Sequence, residues 1–274
     1  SPQAYVGGAT DGTSSAIAMV LNKVGTKNNN QVVGYDLKGF KSWFVEDDVI
    51  YALGAGINGT SPTSIETIVE NRIMDETMNY ELKSNTAFEN NSSMDVKKGD
   101  WFILEADDSA NNIAYVFLDD HKINLVNEAR TGKYVDINGA FVNDKTYTET
   151  YQKIIIDHGK SVTDGKYAYA VLPGVTQDEV EAFVNSDAQV LYNTADQQAV
   201  KVNNKTLVNI FPVSGGSVED VNVEGAVSYV MKEDEKTITF SVTDPRQAKS
   251  VFKFALNRDR VELDGNTSVN GTLN

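Results

Sequence analysis

The chain has 274 residues and a net charge of −15, and it contains no cysteine. The missing cysteines exclude thiol catalysis, disulfide bonds and thiolate-bound metals, and no apolar run approaches the roughly 20 residues of a membrane-spanning helix, so no membrane span is predicted. The negative charge repels polyanions, which excludes nucleic acid as an expected partner. An acidic glycan meets the same repulsion, so the chain could hold one only through a local basic or aromatic patch.

Apolar runs bounded by turn residues predict the first β-strands. Residues 16–21 are apolar throughout, and their length favours a buried strand over a helix. Residues 41–57 predict a pair of strands with apolar residues on both faces. The polar residues Glu46, Asp47 and Asp48 interrupt this segment, so we expect the chain to turn there.

The following segment predicts more strands, two of which are joined by a short turn. Residues 113–118 and 123–126 are separated by a turn around Asp119 and Asp120, which suits a tight hairpin. Residues 146–156 alternate imperfectly and predict a long, half-buried strand. Two further strands are predicted at residues 101–105 and 167–172.

A sharp stop and one short helix separate these strands from a second group. Pro173 and Gly174 end the last strand, and Thr176 with Glu179 forms the capping-box pattern of a helix over residues 176–185. Beyond the helix the strand pattern resumes, with one buried and one solvated face. Strands are predicted at residues 189–192, 199–202, 206–211, 226–231, 237–243 and 251–256.

These elements together predict an all-β protein. We expect a large antiparallel β-sandwich followed by a smaller C-terminal β-sandwich. The large sandwich is expected over residues 1–174, a helical hinge over residues 175–187 and the small sandwich over residues 188–274. A capped helix directly after a Pro-Gly stop is typical of a connection between two domains.

The only two histidines are His121 and His158, and a Ser-His-Asp triad or a multi-histidine metal site would have to use them. His121 follows an Asp-Asp turn, and His158 lies at the predicted end of a strand. We interpret them as a solvated turn residue and a hydrogen-bonded strand-end residue. Nothing in their spacing predicts a zinc site, so no catalytic residue and no metal ligand is assigned.

Two short motifs carry side chains that could contact a sugar. Trp43 could stack on a sugar ring with Lys41 as a nearby cation. Because Trp43 and the next residue point to opposite faces of a strand, at least one must be core, and core packing is favoured for Trp43. Arg72, beside Asn71, could hold a uronate carboxylate in bidentate fashion, but a structural pair with Glu70 is favoured.

Two polar segments suggest an ion site and an ion pair. Glu128, Arg130 and Asp136 lie at strand-like intervals that suggest a cross-strand ion pair. An oxygen-rich loop could hold a structural calcium ion, but it lacks the EF-hand spacing, so a solvated hairpin loop is favoured and no other cofactor is expected. The residues of this loop are Asp107, Asp108, Asn111 and Asn112.

A series of sequence blocks extends along nearly the whole chain. The blocks are VGGATDG (6–12), KSWFVEDDVIYALGAGI (41–57), VENR (69–72), EARTGKYVDING (128–139), DHG (157–159), YAYAVLPG (167–174), LYNTADQQAV (191–200) and ITFSVTDPRQ (238–247). In content and spacing they resemble polysaccharide lyases of family 8, the bacterial hyaluronate, chondroitin and xanthan lyases. Tyr134 stands where the family pattern has Trp, a departure that keeps an aromatic side chain.

The resemblance implies β-elimination on uronic-acid-containing polysaccharides. That reaction needs a donor that neutralises the uronate charge, a base for the C5 proton and an acid for the leaving oxygen. In the family, an Asn, a His, a Tyr and an Arg of a helical toroid meet these demands, supported by an Asn-Gly-Glu-Asn segment upstream of the VGG block. None of these positions has a counterpart in this chain, so no catalytic residue is transferred to it.

The resemblance therefore implies the central and C-terminal β-sandwich portion of a secreted or cell-surface bacterial lyase, without the helical toroid. Its expected partners are an acidic polysaccharide and the missing helical catalytic domain of the same protein, and alone it is expected to be inactive. The alternatives are a stand-alone carbohydrate-binding module and a purely structural surface module. The candidate substrate contacts are Lys41, Trp43, Asn71 and Arg72, and the purely structural module would make no sugar contacts.

Overall fold

A computed structural model describes residues 5–23, 26–28, 31–33, 36–74, 77–140, 142, 144–248, 251–257 and 271–273. The strands of the first part are β1 (Val6–Thr10), β2 (Ser15–Lys23), β3 (Thr26–Asn28), β4 (Gln31–Val33), β5 (Leu37–Glu46), β6 (Val49–Thr60), β7 (Glu66–Ile73), β8 (Glu81–Ser84), β9 (Ser92–Val96), β10 (Trp101–Glu105), β11 (Ile113–Phe117), β12 (His121–Lys133) and β13 (Thr146–Asp157). A 3₁₀ turn spans Ser109–Asn111, and the short helix α1 spans Tyr134–Ile137.

The second part continues with strands and one longer helix, so the described chain is all-β, as predicted. Helix α2 spans Gln177–Val184. The strands are β14 (Ser161–Pro173), β15 (Gln189–Asn193), β16 (Gln197–Val202), β17 (Lys205–Ile210), β18 (Gly216–Val218), β19 (Val221–Glu224), β20 (Val227–Glu233), β21 (Ile238–Thr243), β22 (Phe252–Leu256) and β23 (Gly271–Leu273).

Packing divides the chain into two compact units, and neither is continuous in sequence. Unit 1 comprises Ser1–Pro62, Lys160–Ala170 and Asn185–Asn274, and unit 2 comprises Thr63–Gly159 and Val171–Val184. Both units are built from antiparallel sheets, except that β22 and β23 pair in parallel. The boundaries predicted near residues 174 and 188 stay a prediction.

Unit 1 contains an N-terminal sheet in the order β1-β2-β5-β6-β14. The predicted turn between β5 and β6 is confirmed at Asp47 and Asp48, where Asp47 adopts a φ of 50°. Glu46 does not belong to the turn, because it pairs with Val49 as the last residue of β5 and is only 5% exposed. Most of β6 is buried on both faces, which matches the predicted pair of strands with two apolar faces.

The LGAGI block on β6 has a steric explanation in unit 1. A Cβ atom on Gly54 would lie 2.1 Å from Cε1 of Tyr167, whose ring is buried against the glycine. Gly56 adopts a φ of +59°, and its Cβ atom would lie 2.8 Å from Cβ of Ala195. Both positions therefore require glycine, because a side chain would collide with its neighbour or strain the backbone.

The C-terminal part of unit 1 is a small sandwich, as predicted. A five-stranded sheet in the order β15-β16-β17-β20-β21 faces a four-stranded sheet in the order β18-β19-β22-β23. The core between them includes the fully buried Tyr229, whose ring contacts Phe240 and Phe254 edge-on at 5.8 and 5.5 Å between centroids. Ile238 and Val242 pack against the same core, which confirms the predicted buried face of β21.

A buried polar network joins the small sandwich to the N-terminal sheet within unit 1. Asn209 on β17 donates from Nδ2 to Ser42 Oγ at 3.0 Å and to the carbonyl oxygen of Ile17 at 3.2 Å. Its Oδ1 atom accepts a hydrogen bond from Ser228 Oγ at 2.5 Å, and Ser42 itself donates to Gln198. Because these groups are fully buried, each needs a partner in place of water, and the network therefore specifies how the two sheets align.

Unit 2 contains a sheet with strands in the order β11-β10-β8 and a second sheet in the order β7-β13-β12-β9. The apolar core includes Phe102 and Phe117, which are fully buried and meet edge-on at 6.2 Å between centroids. The predicted hairpin of β11 and β12 is wrong, because β11 pairs with β10 whereas β12 pairs with β13 and β9. The turn at Asp119 and Asp120 carries the chain from one sheet to the other.

Helix α2 lies in unit 2 and begins as the sequence predicts. Thr176 donates from its backbone nitrogen and its hydroxyl to Glu179 Oε2, at 2.8 and 2.9 Å, and the Glu179 backbone nitrogen donates to Thr176 Oγ1 at 3.4 Å. These hydrogen bonds lower the pKa of Glu179. Val180 is fully buried, so the capping box and one apolar contact hold the helix in place.

Candidate functional site

The structure distributes the four predicted sugar contacts over both units. Lys41 and Trp43 belong to β5 of unit 1, and Asn71 and Arg72 belong to β7 of unit 2. These residues therefore form two groups, each with its own geometry. Their role in substrate binding stays a prediction.

In unit 1, Lys41 and Trp43 share one face of the N-terminal sheet. Trp43 lies opposite Ile17 on β2, and the Lys41 Nζ atom lies 5.3 Å from the centroid of the indole ring. Phe44 points to the other face and is fully buried, so it is the core residue of this dipeptide. Trp43 is only half-buried, so the favoured prediction that it packs in the core is wrong. Partial burial lowers the pKa of Lys41. The pair combines an accessible aromatic surface with a cation, which is a chemistry that suits an acidic sugar.

In unit 2, Arg72 is committed to a structural ion pair. Arg72 Nε lies 2.9 Å from Glu70 Oε2, and the same oxygen accepts a hydrogen bond from the hydroxyl of Tyr115. Burial opposes the charged form of Arg72, but the hydrogen bond and charge of Glu70 raise its pKa. The favoured interpretation of a structural pair is thus confirmed, and a uronate would have to compete with Glu70 for the guanidinium. Asn71 is exposed beside it.

The two histidines lie in unit 2 at the same end of the antiparallel strands β12 and β13, His121 at the start of β12 and His158 just after β13. His158 follows β13, and its Nε2 atom lies 2.9 Å from Thr67 Oγ1, which confirms a hydrogen-bonded residue at a strand end. Burial, and then the nearby charge of His121, lower the pKa of His158. The interpretation of His121 as a solvated turn residue is wrong, because it is the first residue of β12 and its ring meets Phe117 edge-on at 5.9 Å.

In the oxygen-rich loop of unit 2, Asp107, Asp108 and Asn112 each accept a hydrogen bond with a side-chain oxygen. Asp108 Oδ1 caps the 3₁₀ turn by accepting from a backbone nitrogen at 3.0 Å, and Asn112 Oδ1 accepts from another at 2.8 Å. Asp107 accepts from Asn79 Nδ2 at 3.1 Å. Within the described part of the chain, no group of three or more His, Asp or Glu side chains is placed to hold a metal ion. The favoured interpretation, a solvated loop, stays a prediction.

Strands β12 and β13 form a long ribbon that extends beyond the other strands of its sheet. The two strands pair from Ile123 opposite Ile156 to Lys133 opposite Thr146. Strand β9 pairs only with residues 121–125 of β12, and β7 pairs only with residues 151–157 of β13. Among the described residues, the last five pairs of the ribbon therefore have no third strand beside them. At about 3.4 Å per residue, this extension is roughly 14 Å long.

One face of this ribbon gathers aromatic and charged side chains that the sequence did not single out as a site. Arg130 lies 5.4 Å from the ring centroid of Tyr151, and Lys145 Nζ lies 4.8 Å from that of Tyr147. Tyr134 meets Tyr147 edge-on at 5.3 Å between centroids. We call these five residues the ribbon face. A sequence signal existed in the alternating Tyr147 and Tyr151 and in Lys145 two positions before Tyr147, but only the register with β12 brings Arg130 beside Tyr151.

The predicted ion pair in this region differs from the observed one. Glu128 Oε1 lies 2.6 Å from Arg130 Nε, which is on the same strand, and the cross-strand partner of Glu128 is Lys153. Both cations lower the pKa of Glu128, Lys153 more than Arg130. Asp136 takes no part in a strand pair, because it lies in helix α1.

Comparison with known proteins decides the family. Residues 1–184 match the family model for the super-sandwich domain of polysaccharide lyase family 8, and residues 189–252 match the model for its C-terminal β-sandwich domain. The chain belongs to polysaccharide lyase family 8. The family-8 resemblance of the sequence blocks and the β-sandwich fold are thereby confirmed.

Relatives of this family-8 chain include named lyases. It is 35% identical over 262 residues to the hyaluronate lyase HylB of Enterococcus faecalis, which covers 94% of the chain and 26% of that protein. It is 30% identical over 261 residues to a hyaluronate lyase of Thermasporomyces composti, covering 93% and 32%. The structure of a Paenibacillus xanthan lyase superposes with a TM-score of 0.79 at 28% identity, covering 91% and 24%. The family-8 chain thus spans about a quarter to a third of the length of these relatives.

No described helix of the family-8 chain is long and apolar enough to cross a membrane. The longer of the two helices, α2, covers only eight residues and has a single buried apolar side chain. The relatives named above are bacterial polysaccharide lyases.

Proposed function

We propose that this chain is the β-sandwich part of a secreted bacterial polysaccharide lyase that cleaves uronic-acid-containing glycans by β-elimination. The observation that carries the proposal is the match of two successive family-8 sandwich models over residues 1–184 and 189–252. The relatives support the substrate class, because they are named as hyaluronate, xanthan and chondroitin lyases. In this proposal the chain braces a helical catalytic domain and closes one wall of the substrate cleft.

The state of Tyr115 supports the further proposal that the chain has no turnover alone. Tyr115 and Arg72 are the residue types that could serve as base and charge neutraliser, and they lie together at Glu70. However, burial and then the charge of Glu70 raise the pKa of Tyr115, so the hydroxyl keeps its proton and donates a hydrogen bond to Glu70. A side chain that is 2% exposed is also out of reach of a polysaccharide.

The experiment is a lyase assay with and without a helical domain supplied in trans. The chain is incubated with hyaluronan, chondroitin or xanthan, and the ultraviolet absorbance of the unsaturated product is followed. The partner is the part of the Enterococcus faecalis hyaluronate lyase outside its 262 matched residues. We expect no absorbance with either piece alone and a rise when they are mixed. Product formation by the purified chain alone would contradict the proposal.

A second candidate function is a stand-alone carbohydrate-binding module, and the Lys41–Trp43 pair favours it. Under this alternative, the chain binds hyaluronan, chondroitin or xanthan oligosaccharides without any lyase partner, and Trp43→Ala weakens that binding. Isothermal titration measures this directly. Flat heats for all three glycans would contradict the alternative and leave the lyase assay to decide the first proposal.

A further inference from the structure

The ribbon face stands apart from the rest of the molecule in its chemistry. Tyr147 and Tyr151 lie on one side of β13, and Tyr134, which follows β12 in helix α1, meets Tyr147 and is 54% exposed. Tyr147 lies in the extension that no third described strand supports, whereas Tyr151 lies at its base, where β13 still pairs with Ile73 of β7. The opposite side of the same extension is mostly threonine, with Thr131 Oγ1 and Thr148 Oγ1 2.8 Å apart, and it also carries Ala129 and Lys133. The aromatic residues are therefore confined to one face, and they are not part of a buried core.

The ribbon face also reverses the local sign of charge. Arg130 and Lys153 both contact the carboxylate of Glu128, and Glu149 lies opposite Arg130 on the same face, so these four charges balance. The local excess of positive charge on this face therefore comes from Lys145. Lys145 adds a cation over the ring of Tyr147. The chain as a whole carries −15, and a polyanion could approach only where such a local excess of cations exists.

The two kinds of side chain fit the two parts of an acidic sugar. Tyrosine rings present flat apolar surfaces that pack against the apolar face of a pyranose ring. The guanidinium of Arg130, which is 49% exposed, has donors that can bind a carboxylate, because its observed contact with Glu128 uses Nε. An exposed ion pair contributes at most about 1 kcal/mol, so a ligand carboxylate can exchange with Glu128 at small cost.

We propose that the ribbon face binds a chain of uronic-acid-containing glycan. This assignment goes beyond the Lys41–Trp43 and Asn71–Arg72 contacts predicted from sequence, and it rests on the proposed function for the class of ligand. The tyrosines stack on sugar rings along the ribbon, and Arg130 and Lys145 bind carboxylates. Binding is electrostatic in part, so it weakens as ionic strength rises.

The test is a titration of the 274-residue chain with hyaluronan oligosaccharides, followed by isothermal calorimetry and by backbone amide shifts in NMR spectra. We expect amide shifts concentrated at residues 128–134 and 145–151. Arg130→Gln and Tyr147→Ala should each weaken binding by about tenfold, since each removes one charged or stacking contact. A neutral cellulose oligosaccharide of the same length should bind more weakly and without salt dependence.

Thr148→Val is the matched control, because it lies on the same strand but on the threonine side. It should leave the affinity unchanged, and circular dichroism should show all variants folded. Equal loss in Thr148→Val, shifts centred on Trp43 and not on the ribbon, or no binding by the unmodified chain would each overturn the proposal. The lyase assay in trans is independent of these outcomes, so a ribbon that binds no glycan would leave the proposed function standing.

Discussion

Lys205 on β17 reaches Glu46 at the end of β5, with Nζ 3.2 Å from Oε2 and 159 positions of sequence between the two residues. The same nitrogen contacts Asp11 Oδ2 at 3.3 Å and donates to Thr13 Oγ1 at 2.9 Å. The side chains of Lys205 and Glu46 are 10% and 6% exposed. This contact ties the small sandwich to the N-terminal sheet of unit 1 through charges that are mostly buried.

Removing the cation from this cluster should destabilise unit 1 strongly. Lys205→Met leaves Glu46 and Asp11 without their counter-ion, so we expect the free energy of unfolding to fall by about 3–5 kcal/mol. Urea denaturation measures the change. The control is Lys201→Met, because Lys201 forms an exposed pair with Glu219 at 2.8 Å and its loss should cost less than about 1 kcal/mol. Equal effects of the two substitutions would show that the buried cluster contributes no more than a surface pair.

The same cluster predicts loss of stability at both extremes of pH. Burial alone would raise the pKa of Asp11, but hydrogen bonds from Ser14, Thr13 and Lys205 outweigh it and lower the pKa below the ordinary 3.8. Because the pKa of Asp11 is lower in the folded state, Asp11 stabilises the protein fully above pH 3.8, and this contribution is lost as pH falls from 3.8 through the lower folded-state pKa. For Lys205, burial alone would lower the pKa, but Glu46 and Asp11 raise it above 10.5, so its contribution is lost as pH rises past that value.

Urea midpoints measured from pH 7 down to pH 2 check the acid limb of this prediction. The unmodified chain should lose stability below pH 3.8, and Asp11→Asn should show a shallower decline because its side chain does not titrate. Parallel curves for the two proteins would count against the role of Asp11.

Replacing the buried amide of Asn209 should also destabilise unit 1, by less than the loss of Lys205. Asn209→Leu removes one buried hydrogen-bond partner each from Ser42, Ser228 and the carbonyl of Ile17, so we expect a loss of about 1–3 kcal/mol. The comparison is Asn222→Ala, since Asn222 is exposed and accepts a hydrogen bond from Ser217 at the surface. Thermal unfolding of both variants measures the difference, and similar melting temperatures would be evidence against the network.

Gly54 should not tolerate even a methyl group. Gly54→Ala places a Cβ atom into the ring of the buried Tyr167, and we expect a cost of about 1–3 kcal/mol from overpacking. Gly132→Ala is the control, because nothing lies within 4 Å of the added atom, and its effect should stay within about 0.5 kcal/mol. Unfolding midpoints for the two variants give the comparison. An unchanged midpoint in Gly54→Ala would mean that Tyr167 can move aside.

Local features of the fold followed from local sequence. The capping box at Thr176 and Glu179 involves residues three positions apart, so its hydrogen bonds could be predicted from residue type and spacing. Strand β10 matches the predicted residues 101–105, because a short apolar run between turn residues is typical of a strand. The predicted hairpin of β11 and β12 was wrong, because strand pairing depends on segments far apart in the chain. A two-residue turn permits pairing but does not force it, and the buried faces of the two strands belong to different sheets.

The candidate site also contains one group that the sequence predicts and one that it does not. Lys41 and Trp43 lie two positions apart on one strand, so their common face and the resulting contact at 5.3 Å could be expected from the period of a strand. The ribbon face could not, because Arg130 and Tyr151 meet only through the register of β12 against β13. At Asp136 the strand period gave a wrong prediction, because helix α1 begins at Tyr134 and the strand does not continue from Glu128 to Asp136.

Sequence by itself determined the all-β class, most strand positions, the helix cap and membership of a lyase family, because these depend on residue type and short-range order. Tertiary structure decided which strands pair, how Lys205 meets Glu46 and where cations gather beside tyrosines. Such contacts join segments far apart along the chain. Their partners are selected by the burial of whole sheets and by cross-strand register, and a linear pattern of residues does not carry that information.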